Sequence, residues 1–185
     1  MSESVFVTAA LLIAKPRLQT YLRSPVAPAN AWSPREWAGV SESDELPAAI
    51  DECDSWLDGD YADVFLDLAE DDLTFQFDED TGSLVVEFSS RADFRLPTMI
   101  WAVTLLRGVA GCMADGDHGL VTVTNEWSDD DTVLLHLAPD TSTFLDRRRD
   151  ARASAEAKSR ELDIRAAAGD TDDEPRDVID RLLND

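Results

Sequence analysis

Leu73-Thr74-Phe75-Gln76-Phe77-Asp78, then Glu79-Asp80-Thr81-Gly82, then Ser83-Leu84-Val85-Val86-Glu87-Phe88 is the stretch that decides the fold. Leu73, Phe75 and Phe77 alternate with polar neighbours, and Leu84, Val86 and Phe88 resume the alternation after a turn-forming tetrapeptide, which is the pattern of a half-buried β-hairpin. Next comes Leu96 to Met113, apolar nearly all round, opened by Pro97 and interrupted by Arg107 and Gly108. It reads as a buried core helix, because a membrane span would need a longer run free of charge. Leu120 to Trp127 and Thr132 to Ala138 read as a second hairpin around Ser128, Asp129, Asp130 and Asp131. The order strand, strand, helix, strand, strand implies an α+β fold: an antiparallel sheet of two hairpins around a central buried helix, covered by further helices.

The flanks extend this core. Val5 to Ile13 is apolar on both alternating faces and predicts a buried strand, and Lys15-Pro16 opens a short helix to about Arg23. Ser24 to Val40 is a Pro- and Ala-rich loop that Trp32 and Trp37 are expected to pin to the core. Leu46, Ile50, Cys53 and Leu57 recur at helical spacing behind Pro47. Beyond Pro139, the region from Thr141 to about Ala168 reads as a long, largely solvated polar helix, with Glu156–Arg160 and Glu161–Arg165 as i,i+4 pairs. An acidic break follows, and then a short amphipathic helix carrying Val178, Ile179, Leu182 and Leu183, which folds back on the domain or pairs with another copy. The organisation expected is one acidic core domain over residues 1–140, the polar helix over 141–168, and a linker with its short helix over 169–185.

The chain has 16 basic and 39 acidic residues, a formal net charge of −23. Such a surface repels nucleic acid and anionic lipid and attracts a basic partner, most naturally a cationic protein. Acidity is also produced by adaptation of a proteome to molar salt or by a GC-rich genome, and the Arg-over-Lys, Ala- and Asp-rich profile fits either. One feature exceeds composition: no Lys or Arg occurs between Arg35 and Arg91, while Glu36 to Glu87 holds eighteen acidic residues. Like charges this close oppose folding, which points to a use for them. The candidate partner-binding set is Asp54, Asp58, Asp60, Asp63, Asp67, Asp71, Asp72, Asp78, Glu79 and Asp80, with Trp56 and Tyr61 as aromatic anchors. Set against this is a plain solvated acidic face whose aromatics point into the core.

Signals for chemistry are weak. None of Asp58, Asp78 or Asp115 begins an EF-hand loop, and no designed metal site or cofactor-binding motif is present. Cys112, His118 and His136 supply a thiol and two imidazoles, yet no nucleophile elbow or metalloprotease motif accompanies them. Arg147-Arg148-Arg149, flanked by Asp146 and Asp150, reads as the charged face of the solvated helix. Two cysteines give no disulfide framework, and the run from Val5 to Ala14 has neither a basic n-region nor a cleavage pattern, so a cytoplasmic address is expected.

A small, acidic, non-catalytic α+β chain with an acidic stretch from Asp44 to Glu87 and this core from Leu73 to Ala138 resembles the immunity proteins that neutralise polymorphic or contact-delivered toxins. The resemblance implies a tight complex with a basic toxin domain whose active site is occluded, and charge mimicry of an anionic substrate. It assigns a role to no single residue, and the tail from Asp146 lies outside it. The other reading is a structural or adaptor protein of a halophile, with the C-terminal helix mediating homo-oligomerisation.

Overall fold

The computed structural model describes residues 4–90, 96–125 and 128–185. It is an α+β fold with one six-stranded antiparallel sheet in the order β2-β3-β1-β4-β5-β6. The strands are β1 (Val5–Leu12), β2 (Leu73–Asp78), β3 (Ser83–Ser90), β4 (His118–Asn125), β5 (Ser128–Ala138) and β6 (Thr141–Leu145). The helices are α1 (Lys15–Leu22), α2 (Leu46–Trp56), α3 (Tyr61–Leu68), α4 (Leu96–Arg107), α5 (Ala151–Ala168) and α6 (Pro175–Asn184).

The two-sided apolar character of β1 fits its central place. Val7 lies between Phe88 and Val123, and Ala9 between Val86 and Val121, so one face of the sheet carries a continuous Val, Leu and Phe layer. That layer extends outward through Phe75 on β2 and Leu135 and Leu137 on β5. α4 lies between this face and α2, buried nearly all round, as its sequence demands. It ends at Arg107, and a 3-10 turn over Gly108–Cys112 replaces the continuous helix expected to Met113. A side chain at Gly108 would collide with the Tyr61 hydroxyl.

The opposite face of the sheet is more polar, carrying Thr8, Glu87, Thr122, His118 and His136 beside Ala10, Leu120 and Leu134. α5 crosses it on a narrow seam of Ser154, Ala157, Glu161, Ile164 and Ala168. Small residues let the helix approach, and ion pairs fasten it: Glu161 accepts from Lys158 at 2.9 Å and from Arg165 at 3.3 Å, and Arg165 also reaches Glu87 at 2.6 Å.

Three sequence readings are corrected and one open alternative is decided. The polar helix does not begin at Thr141: residues 141–145 are strand β6, and α5 starts at Ala151. A two-residue turn, Pro139-Asp140, joins β5 to β6, with Pro fixing the first φ and Asp140 at φ 55°, a left-handed conformation that Asp tolerates better than most residues. Ser128, Asp129, Asp130 and Asp131, expected as a turn, already belong to β5: Ser128 pairs with Asn125, and the ladder shifts register between Val123 and Asn125, which leaves the aspartates opposite no described β4 residue; Trp127 lies outside the described residues. α3 was not anticipated within the acidic stretch. The C-terminal helix α6 folds back and buries Val178, Ile179 and Leu182 in the main core beside β2.

Candidate functional site

The acidic stretch divides into carboxylates that build the fold and carboxylates that face solvent. Asp54 belongs to the first group: its two oxygens accept from Ala29 N at 2.5 Å and Asn30 N at 3.2 Å, tying the proline loop to α2. Asp60 caps α3 by accepting from Asp63 N at 2.9 Å, and the Asp63 carboxylate accepts in turn from Asp60 N at 3.3 Å, a reciprocal capping box that also places negative charge at a helix N-terminus. Asp78 holds the β2–β3 turn through Thr81, Asp72 accepts from Ser89 Oγ at 3.0 Å, and Glu79 pairs with Lys15 at 3.0 Å.

The second group is Asp58, Asp67, Asp71 and Asp80, all exposed; Asp58 accepts only from the adjacent Gly59 N, and the other three carboxylates have no partner among the described residues. Trp56, at the end of α2, is 43% exposed and remains available as an aromatic anchor. Tyr61 does not: it is buried, its hydroxyl accepts from Ala27 N at 3.1 Å, and its ring lies 4.3 Å from that of Tyr21. Tyr61 opens α3 as the first residue of an inward stripe with Ala62 and Phe65, so a helix in this stretch required it in the core.

α6 joins the predicted residues into one surface. Arg176 meets Glu70 at 3.3 Å near one end of β2, and Asp185 meets Lys15, the partner of Glu79, at 3.0 Å near the other. Between these ties α6 runs along the edge strand with Asp177 and Asp180 exposed. The carboxylates after α3 and those at the hairpin turn, which lie at opposite ends of β2, thus become parts of one acidic edge. Sequence reasoning had left this helix outside the site. The signal for its inclusion was the apolar set Val178, Ile179 and Leu182, which needs a core and turns the intervening acids outward.

A second constellation lies at the other edge of the sheet. Arg107 is 1% exposed and sits among Trp32, Trp37 and Phe144, its guanidinium carbon 5.0, 4.8 and 5.0 Å from their ring centroids. Its Nε donates to Ser142 Oγ at 2.7 Å and its Nη1 to the Glu36 carbonyl at 3.0 Å, and no carboxylate pairs with it among the described residues. Burial pulls its pKa down to about 10, so it stays cationic at neutral pH. Arg107 lines a cleft of about 1040 Å³ between the loop from Arg35 to Glu42 and strand β6, continuing to Arg147, Arg148 and Arg149. These three arginines stand in a turn before α5 and not on a helix face as expected; Asp146 makes that turn by accepting from Arg148 N and Arg149 N at 2.8 and 2.9 Å.

His118 and His136 come together beneath α5 near Arg160 and Glu161, whereas Cys112 lies in the 3-10 turn after α4. Among the described residues no helix is long and apolar enough to cross a membrane. No protein-family model matches the chain, and no curated protein and no solved structure matches it.

Proposed function

We propose that this chain is a non-catalytic binding protein that captures a basic protein partner on the acidic edge formed by α3, α6 and the β2–β3 turn. The observation that carries the reading is the exposure of Asp67, Asp71 and Asp80, without a cation, beside the outward acids of α6. Carboxylates held on helices and a tight turn are preorganised to accept bidentate bonds from arginine, and a field of one sign accelerates encounter with a cationic surface. Occlusion of a toxin's cationic active site, as the resemblance to immunity proteins implies, is the specific form of this activity that we favour.

The test is a pair of affinity captures from lysate of the source organism at low salt, one with the natural chain and one with Asp67→Lys, Asp71→Lys, Asp177→Lys and Asp180→Lys combined. The expected result is a stoichiometric basic protein that the natural chain retains, that salt releases and that the variant fails to hold. Equal retention by both chains overturns the reading. Absence of any partner, with folding only in molar salt, returns the acidity to halophilic adaptation and the chain to a structural or adaptor role.

A further inference from the structure

Acids outnumber bases more than twofold in this chain, so several cations gathered in one place without ion-pair partners stand out. Among the described basic residues, Lys15, Arg17, Lys158, Arg160, Arg165, Arg176 and Arg181 are all ion-paired. Those that are not are Arg23, Arg152 and five more, and the five, Arg35, Arg107, Arg147, Arg148 and Arg149, line one cleft. Three carboxylates share its walls. Glu36 accepts from Ser33 N at 2.7 Å and Asp146 from the backbone of the arginine turn, and both still act electrostatically on the cleft, Glu36 on Arg107 and Asp146 on Arg148 and Arg149, while Glu42 is exposed; five cations against three carboxylates leave the lining net positive.

The arrangement has a buried base and exposed arms. Arg107 is held flat by three rings and two hydrogen bonds at the buried wall, while the other four side chains are exposed around the mouth. Guanidinium groups at the mouth present planar forks that match the oxygens of phosphate or carboxylate, and Arg107, 1% exposed behind its rings, adds positive charge through the low-dielectric wall. At about 1040 Å³ the cleft accommodates a whole small molecule as well as a single ion. We propose that this cleft is a binding site for a small polyanion whose phosphate or carboxylate groups the arginines take. It is separate from the acidic edge, so a chain that repels anions overall has one place that accepts them.

The test is isothermal titration of the full chain with inorganic pyrophosphate and, in a parallel arm, with citrate, which separates the two oxyanion sources. The expected result is saturable one-to-one binding of at least one probe. Its affinity should fall at least about tenfold in Arg147→Ala/Arg148→Ala/Arg149→Ala, since the three exposed guanidinium forks at the mouth are lost together. Those side chains are exposed and unpaired, so the variant should keep the natural unfolding midpoint, and Asp67→Lys/Asp71→Lys should leave the affinity within about twofold, since its charges lie at the far edge. Binding of neither probe, or equal binding by the triple-alanine variant, overturns the proposal. A polyglutamate peptide that binds where both small probes fail overturns it in favour of an acidic protein segment.

Discussion

Arg165 of α5 donates to Glu87 of β3 across 2.6 Å, while its Nε reaches Glu161 one turn back on its own helix at 3.3 Å. With the small seam of Ser154, Ala157 and Ala168 beneath it, α5 depends on this network more than on apolar area. Glu161 is its buried centre at 6% exposure. Glu161→Ala should cost about 2 kcal/mol, the scale of charge-assisted hydrogen bonds lost to a truncated partner. Urea denaturation measures the cost, and faster amide exchange confined to 151–168 would place it in α5.

Beneath the same helix, His118 and His136 have their pKa values lowered, chiefly by burial and next by Arg160; each also feels a carboxylate that opposes the shift, Asp117 for the first and Glu156 for the second. Both imidazoles are therefore more readily protonated in the unfolded chain. Stability should be complete above the unfolded value near 6.5 and fall as pH drops from there toward the depressed folded values. Denaturation midpoints at pH 7.5 and pH 5.5 check this, and His118→Asn/His136→Asn should flatten the difference. A difference that persists unchanged would assign it to carboxylates.

Gly82 sits at φ 72° in the β2–β3 turn, and an added Cβ would lie 2.9 Å from the Ile13 carbonyl, whose own amide donates to the Gly82 carbonyl at 2.9 Å. Gly82→Ala should destabilise by about 1–2 kcal/mol through backbone strain and this contact. Thermal unfolding measures it, and Asp80→Ala, an exposed side chain in the same turn without a partner among the described residues, serves as a comparison without the backbone demand.

At the other edge, Arg107→Lys should lower stability by about 2 kcal/mol, because an ammonium fills the aromatic box poorly and cannot reproduce the fork to Ser142 and Glu36. Chemical denaturation followed by tryptophan emission reads the loss, with the emission of folded Trp32 and Trp37 reporting directly on the box.

Elements whose residues carry their own period were legible without coordinates. The alternations Leu73-Phe75-Phe77 and Leu84-Val86-Phe88 became β2 and β3, and the two-sided apolar run from Val5 became the central strand. β6 was not legible because Thr141-Ser142-Thr143-Phe144-Leu145 is short and follows a proline, so it resembled a helix start, and only pairing with β5 decides otherwise. α3 was hidden by its own caps, since Asp60 and Asp63 looked like members of an acidic surface when they were closing a helix end. The candidate docking set mixes two kinds of carboxylate for the same reason: those that satisfy backbone amides cannot be told by sequence from those that stand exposed without a partner. The arginine cleft escaped notice because Trp32, Trp37, Arg107 and Phe144 come from separate segments that only the tertiary fold assembles.

Two clusters of opposite charge stand at the two edges of the sheet. The exposed carboxylates of the acidic edge lie beside β2 and the five arginines of the cleft beside β6, five strand spacings away or about 24 Å. The molecule therefore possesses a permanent electric dipole moment in addition to its net charge. In the field of a cationic partner that dipole produces a torque, which turns the chain during approach so that α3 and α6 lead and the β6 edge trails. Contact with the proposed partner would then begin from an aligned pose, with the arginine cleft on the side facing bulk water.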